Sequence, residues 1–408
     1  MKRNFITALG AATILFMPGY AIAQTETGMT SGSWMFRPYL DLRAVYDDNV
    51  YQSENNKTDD FYAEPEVGLR FSSGSSHNLI TLSGGAFYSR REYASESDRS
   101  HNSYGQNLSL SYGSIERTSL QLVQGYRVLE DTDRHADNVQ LEGVNRSLIQ
   151  DIDSINQERA ILDLGAGLQH RLSDRTGLGL AILYTSLDYD KDAFIDIDGI
   201  VAQGEIAYRA TDKASTFLVT SYKNQEQDGD NQSSDAYAAR LGIRTKETDK
   251  VTLRASVGAE RYERTLLSGE KDESDNFSFS ANARWAATDK LTVTVGGYNG
   301  TQLSSLYRDN ALDFVSAFLG LNLKATDNVN LSLRGTYRVD DYVDAVVVDG
   351  TSFSRKDTRL QGTARIEYQP PAKYLQLYAQ ITAEDVDSDV PGLDYSRVRA
   401  MVGARISY

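Results

Sequence analysis

The chain has 408 residues, a formal net charge of −15, no cysteine, 31 glycines, 25 tyrosines and 40% hydrophobic residues. Without cysteine there are no disulfide frameworks, thiolate metal sites or thiol nucleophiles. The acidic total argues against general nucleic-acid binding, which needs clustered Lys and Arg, and no run of eighteen apolar residues follows the N-terminus, which excludes helical membrane spans there.

The first residues read as a targeting segment. Lys2 and Arg3 are followed by a short apolar stretch from Phe5 to Met17, a break at Pro18-Gly19 and the small-x-small site Ala21-Ile22-Ala23. This predicts a signal peptide over 1–23, a short periplasmic segment over 24–33 and a β-barrel over 34–408.

From Trp34 onwards, stretches of alternating polarity are separated by two kinds of connector. Ser173-Asp174-Arg175, Thr211-Asp212-Lys213, Thr248-Asp249-Lys250, Thr288-Asp289-Lys290, Thr326-Asp327-Asn328 and Pro370-Pro371-Ala372 are short. In these turns Asp is expected to cap its own backbone. The segments 47–60, 130–156, 188–199, 226–235, 266–274 and 343–357 are longer and acidic. Within 276–285, Phe277, Phe279, Ala281, Ala283 and Trp285 share one parity, and Asn276, Ser278, Ser280, Asn282 and Arg284 share the other. Period two puts these sets on opposite faces of a strand. The pattern predicts an all-β fold: a closed antiparallel transmembrane β-barrel of about 18 strands, with short periplasmic turns and long extracellular loops. A soluble antiparallel sandwich also alternates, but it does not account for the targeting segment or the aromatic placement.

Phe71, Tyr112, Tyr208, Trp285, Tyr368 and Tyr408 lie near short turns or the C-terminus, each in the parity of its strand's apolar stripe. They are expected to form an aromatic girdle at one membrane boundary, with Tyr46, Tyr184, Tyr262, Tyr298 and Tyr337 in the opposite one. The other parity points to the lumen. It carries a basic wall of Arg37, Arg43, Arg334, Arg338, Arg359, Arg365, Arg397, Arg399 and Arg405, from the first strand and the last few. The acidic counterparts are Asp41, Glu64, Glu66, Asp163, Glu205, Glu260 and Glu367. Two outcomes stay open: a water-filled channel that favours anions, or a lumen plugged by its own ion pairs. Segment 130–156, with Leu141, Val144, Leu148, Ile149, Ile152 and Ile155, either narrows the lumen or caps it from outside.

No catalytic or metal-binding pattern emerges, and no cofactor is expected. His77, His101, His135 and His170 are not at metal-ligand spacings. His135 with Asp131, Asp133 and Asp137 lacks a nucleophile, so a rim hydrolase is a distant third reading. The run from Asp188 to Gly199 has Ala193 and Gly199 where an EF-hand needs Gly and Glu.

Two resemblances bear on setting. The ending Val402-Gly403-Ala404-Arg405-Ile406-Ser407-Tyr408 resembles the C-terminal signal recognised during outer-membrane barrel assembly, with Tyr in place of the usual Phe. The first hairpin runs from Pro38-Tyr39-Leu40-Asp41-Leu42 through Tyr46-Asp47-Asp48-Asn49-Val50-Tyr51 to Asp59-Asp60-Phe61, and resembles the Putative β-barrel porin 2 family. The resemblance implies an outer-membrane location and an exopolysaccharide export setting, and the first hypothesis is a non-enzymatic, porin-like channel of a Gram-negative bacterium that passes polar or anionic solutes. The partners implied are outer-membrane lipid and lipopolysaccharide, the barrel-assembly machinery and polysaccharide, with no nucleic acid. The alternative is a structural or surface-interaction barrel with a plugged lumen that binds glycan or lipopolysaccharide. Deleting Tyr408 is expected to reduce outer-membrane insertion, measured as the heat-modifiable folded form in the outer-membrane fraction.

Overall fold

The computed structural model describes residues 29–31, 33–73, 80–114, 117–129, 158–191, 194–227, 232–245, 250–307, 310–348 and 351–408. The targeting segment 1–23, loop 130–156, His77, His135 and Thr248-Asp249 lie outside them. The strands in chain order are β1 Met29–Ser31, β2 Trp34–Asp47, β3 Asp60–Ser73, β4 Ile80–Tyr93, β5 His101–Ser114, β6 Thr118–Leu129 and β7 Arg159–Arg171. They continue with β8 Thr176–Tyr189, β9 Ile197–Arg209, β10 Ala214–Gln227, β11 Ser233–Thr245, β12 Val251–Thr265, β13 Lys271–Ala286 and β14 Leu291–Leu303. The last are β15 Ala311–Lys324, β16 Val329–Tyr342, β17 Val346–Val348, β18 Thr351–Phe353, β19 Lys356–Tyr368, β20 Leu375–Ser388 and β21 Tyr395–Ser407.

Eighteen of these, β2–β16 and β19–β21, pair antiparallel with their chain neighbours. The ring closes where β2 meets β21, from Tyr39↔Ser407 to Asp47↔Arg399. Strand β1 folds back on the start of β2, and β17–β18 is a separate small hairpin. Closure satisfies the backbone around the ring, apart from the part of β13 beyond the pair Ser280↔Tyr298, where its ladder with β14 ends.

The alternation in the sequence maps onto the wall. Leu42, Val67, Ile182, Leu241, Val257, Leu333, Ile381 and Val402 are exposed on the outside, while Asp41, Glu66, Arg240, Glu260 and Arg397 are buried inside. All six residues of the first girdle face outward: Phe71 packs on Trp34 and Phe36, and the other five are among the exposed large side chains. The second girdle needs correction. Tyr46, Tyr184 and Tyr337 keep outward parity, but Tyr262 is buried on the inner face, and Tyr298 packs inward against the cluster of Leu312 and Phe314. Tyr184 and Tyr222 instead donate to Asp198 and Asp235 on the neighbouring strand, which holds their rings upright on the outer wall.

The short turns also differ from expectation in their chemistry. The hydroxyls of Ser173, Thr211, Thr288 and Thr326 accept the backbone N–H groups of the turns. The Asp residues reach sideways: Asp174 pairs with Arg171 at 3.1 Å and Asp327 with Lys324 at 2.9 Å. The Lys324 ammonium holds the Asp327 carboxyl below its ordinary range.

Several inward glycines make room for an aromatic ring on the paired strand: Tyr39 lies over Gly68, Phe217 over Gly242 and Tyr378 over Gly403. A Cβ at any of these glycines would overlap the ring. Gly403 is therefore unsuited as an inward control position, although its parity is right, whereas Gln361 faces the lumen opposite Glu384 without such a ring. Val402→Arg places a charge against hydrocarbon near mid-wall, where it costs about 2–4 kcal/mol. Its refolding yield into lipid vesicles is expected to fall well below that of Gln361→Arg, and equal yields would contradict this register.

Candidate functional site: the barrel lumen

The predicted basic wall lies at inward parity, but its charges are largely compensated. Arg43 donates to Glu64 at 2.9 Å, to Glu66 at 2.8 Å and to Asp41 at 3.3 Å. Arg405 reaches Asp41 at 2.7 Å across the closing seam, and Tyr378 donates to the same carboxylate. Arg91, absent from the sequence reading, completes Glu64 at 2.8 Å. Arg397 and Asp47 form a pair with both side chains fully buried. Arg338 pairs with Asp340 at 2.6 Å, Arg365 with Glu367 at 2.7 Å and Arg359 with Glu384 at 3.8 Å. Arg37 donates to the Met35 sulfur, Arg399 is buried, and Arg334 is exposed to the interior. Across the barrel, Asp163 accepts from Arg127 and Thr185, both at 2.9 Å. Such pairing is what the interior requires, since a buried charge without a partner carries a heavy desolvation cost.

A basic surface with fewer carboxylates than arginines lies elsewhere. At the short-turn end, β7–β13 enclose a cavity of 820 Å³, with Arg171, Arg209, Arg240, Arg244 and Arg254 in its lining. Glu205 is the strand carboxylate that answers them, accepting from Arg244 at 2.9 Å and pairing also with Arg254. Arg244 and Arg254 remain 41% exposed. Arg240 is buried, donates to Ser278 at 3.2 Å and leaves its Nε without a partner among the described residues. The Arg254 guanidinium stacks on Phe217 at 4.2 Å, which fixes its plane. Reading parity strand by strand would have marked these residues, but Arg-rich β2 and β16–β21 drew the expectation to the opposite side. A larger hollow of 1190 Å³, edged by Leu120, Leu180 and Tyr237, belongs to the lipid-facing wall.

The long-loop end of the lumen is narrowed by β14. Strand β14 pairs with β13 over only seven residues, Thr292–Tyr298, but with β15 over thirteen. Beyond Tyr298 it bends inward, and residues 300–303 are buried in succession. Inward side chains of β10 and β12 take over its backbone. Lys223 donates to the Thr301 carbonyl, Gln225 accepts from Leu303 N–H at 3.2 Å and Gln227 donates to the Ser304 carbonyl at 2.7 Å. Glu260 accepts the Thr301 N–H. Ala311, at the start of β15, packs on Ala236 and Tyr262. The end is clasped by the flanking loops, with Ile195 N–H donating to Ser305 and Arg355 donating to the Tyr307 hydroxyl.

Among the described residues, the aspartates of the run at 188–199 do not form a metal-binding cluster. Asp196 accepts the Tyr189 backbone N–H and Asp198 accepts the Tyr184 hydroxyl. In the extracellular loop 48–59, Tyr51 donates to Glu96, which pushes its hydroxyl up to about 12.

The family model described as "Putative beta-barrel porin 2" matches residues 23–158 and 216–408. Among curated proteins there is no match. Solved structures with similarity include Pseudomonas aeruginosa OpdQ, at 15% identity over 91% of this chain and 98% of that one, with a TM-score of 0.47. The P. aeruginosa outer membrane protein OpdK is similar at 12% identity over 91% and 99%, with a TM-score of 0.47. Acinetobacter baumannii OccAB4 is similar at 12% identity over 91% and 98%, with a TM-score of 0.44.

Breaking the buried Arg397–Asp47 pair tests the compensation argument. Asp47→Ala is expected to destabilise the barrel by about 3–5 kcal/mol, because it removes the buried carboxylate that Arg397 engages through two nitrogens. The double change Asp47→Leu/Arg397→Met is expected to recover much of that loss. Urea unfolding of vesicle-refolded barrels, followed by fluorescence of Trp34 and Trp285, measures both.

Proposed function

Because the chain belongs to the Putative beta-barrel porin 2 family, a group of porin-like outer-membrane β-barrels, we propose that it conducts small anionic solutes across the outer membrane of a Gram-negative bacterium. The periplasmic arginine basin sets its selectivity. The observation that carries this reading is the cavity where Arg240, Arg244 and Arg254 surround the single Glu205. Selectivity follows the charges that line the narrow path rather than the net charge of the protein. The nine arginines of the first and last strands contribute less than their number suggests, since most are matched by adjacent carboxylates.

The inward course of β14 suits the long-loop half to small solutes. An exopolysaccharide setting is therefore best served by short acidic fragments, and passage of an intact polymer requires β14 to move. The proposed partners are outer-membrane lipid and lipopolysaccharide around the wall and the barrel-assembly machinery at the C-terminal strand; the outward tyrosines and the ending Ile406-Ser407-Tyr408 support them. The inward β14 also favours a second reading, a plugged structural barrel with a surface-binding role.

Single-channel recording separates the two. Wild type is expected to give steady anion-selective conductance in a salt gradient. Arg240→Gln/Arg244→Gln/Arg254→Gln is expected to shift the reversal potential towards cation preference, with a smaller shift at molar salt, where the Debye length falls to about 3 Å. Silence of a folded wild type supports the plugged barrel, and strong cation selectivity of the wild type removes the anionic cargo.

A further inference from the structure

The departure of β14 from β13 leaves two ladders that fit one segment. Residues 271–279 of β13 pair with β12 along their whole length but, among the described residues, have no backbone partner on the β14 side. Asn299 bridges the start of the gap with its side-chain amide: Oδ1 accepts the Phe279 N–H at 2.7 Å and Nδ2 donates to the Phe277 carbonyl at 2.6 Å. These are groups that a paired backbone would use. The register Ser280↔Tyr298 extends without a slip to Phe277 opposite Thr301 and Asp275 opposite Leu303. In the present arrangement Leu303 is buried at 1% exposure, while the Asp275 side chain stands outside at 77%.

We propose that residues 299–303 of β14 are a gate that exchanges between the side-chain ladder in the lumen and the backbone ladder on β13. In the lumen, Lys223, Gln225, Gln227 and Glu260 hold the segment. On β13, the free edge at 273–277 receives it, the wall zips to full height, and the strand leaves the pore. The geometry suits exchange between two discrete states. Each state satisfies the backbone of the segment, and the intermediate position satisfies neither, which is costly at membrane depth. The outward residues of the free edge do not oppose docking. Glu273 and Asp275 are already drawn aside by Arg261, and Phe277 is exposed to lipid. The consequence for conductance rests on the channel reading above; the movement itself does not.

The cysteine-free chain allows a direct test with paired cysteines. In Asp275→Cys/Leu303→Cys, a disulfide requires the buried segment to reach the outer edge of β13. The bond is expected to form in folded barrels in outer membranes under mild oxidant and to raise single-channel conductance severalfold, reversibly with reductant. Ala236→Cys/Ala311→Cys holds the segment inside, and its oxidised form is expected to stay at the lowest conductance level. If the first pair lowers the yield of folded barrel, Phe277→Cys/Thr301→Cys reads the same register. No bond in the folded barrel overturns the movement itself, and a bond that leaves conductance unchanged, or an inside-locked barrel that opens like wild type, overturns its role as a gate. The reversal potential is a separate readout: loss of anion preference in the wild type refutes the channel selectivity, and the cross-links still decide the gate.

Discussion

Everything in this molecule depends on one constraint: a backbone in hydrocarbon must find all its hydrogen bonds within the protein. The seam between β2 and β21 meets it at the two ends of the barrel chain, 350 residues apart at the Arg397–Asp47 pair. Once the sheet is closed, side-chain period two decides the rest, sending one parity into lipid and the other into a confined interior. The seam is also where the lumen is most tightly cross-linked. Asp41 takes Arg43 from its own strand, Arg405 from the last strand and Tyr378 from the one before it. Closure by the backbone and closure by ion pairs reinforce each other there.

The same constraint explains why the lumen is not a simple charged tube. Arginines that point inward from adjacent strands repel one another in a space of reduced dielectric unless carboxylates sit between them. Along β2–β4 and β16–β21 most of them have such carboxylates, so most guanidinium groups there are oriented by a partner. On the β9–β12 side, Arg244 and Arg254 share the carboxylate of Glu205, and Arg240 donates to the Ser278 hydroxyl with Glu260 as its nearby charge. Among the described residues, positive charge is therefore concentrated at the short-turn end of the β7–β13 side.

What the sequence made legible follows from local pattern. Alternation marked the wall, the lipid face and the periplasmic girdle because each strand declares its own parity, as Phe277 to Trp285 does. Pairing between charges was not legible, since it depends on register: Arg43 finds Glu64 and Glu66 only because Arg43 stands opposite Glu64 in the β2–β3 ladder. Tyr262 and Tyr298 were misplaced because they were assigned by nearness to long loops rather than by the parity of their own strands. The turns were recognised, but the capping atom was a hydroxyl because Ser173, Thr211, Thr288 and Thr326 stand first in each turn, closer to the N–H groups that need an acceptor. One signal of the inward bend was present. At Asn299-Gly300-Thr301-Gln302 the alternation stops, with polar residues at both parities, and such a segment specifies its register weakly.

That weak specification sets the energetics of β14. In the lumen, the segment is held by two hydrogen bonds to ionised groups, from Lys223 and to Glu260, and by two to the neutral amides of Gln225 and Gln227. Bonds to charged groups contribute about 1.5–3 kcal/mol each and neutral ones about 0.5–1.5 kcal/mol. Against this stands the ordering of four long side chains, at up to about 1.5–2 kcal/mol each for such residue types. A backbone ladder on β13 needs no side-chain ordering, but it gives up the contact of Ala311 with Tyr262 and leaves Lys223 and Glu260 to pair with each other. The hydrogen bonds in the lumen and the side-chain ordering they require are of similar size, so the side-chain ladder alone holds the segment weakly. The loops that clasp the strand end then hold the balance. Ile195 and Arg355 stand at the loop ends of β9 and β19, so their contacts bear directly on where the strand end sits.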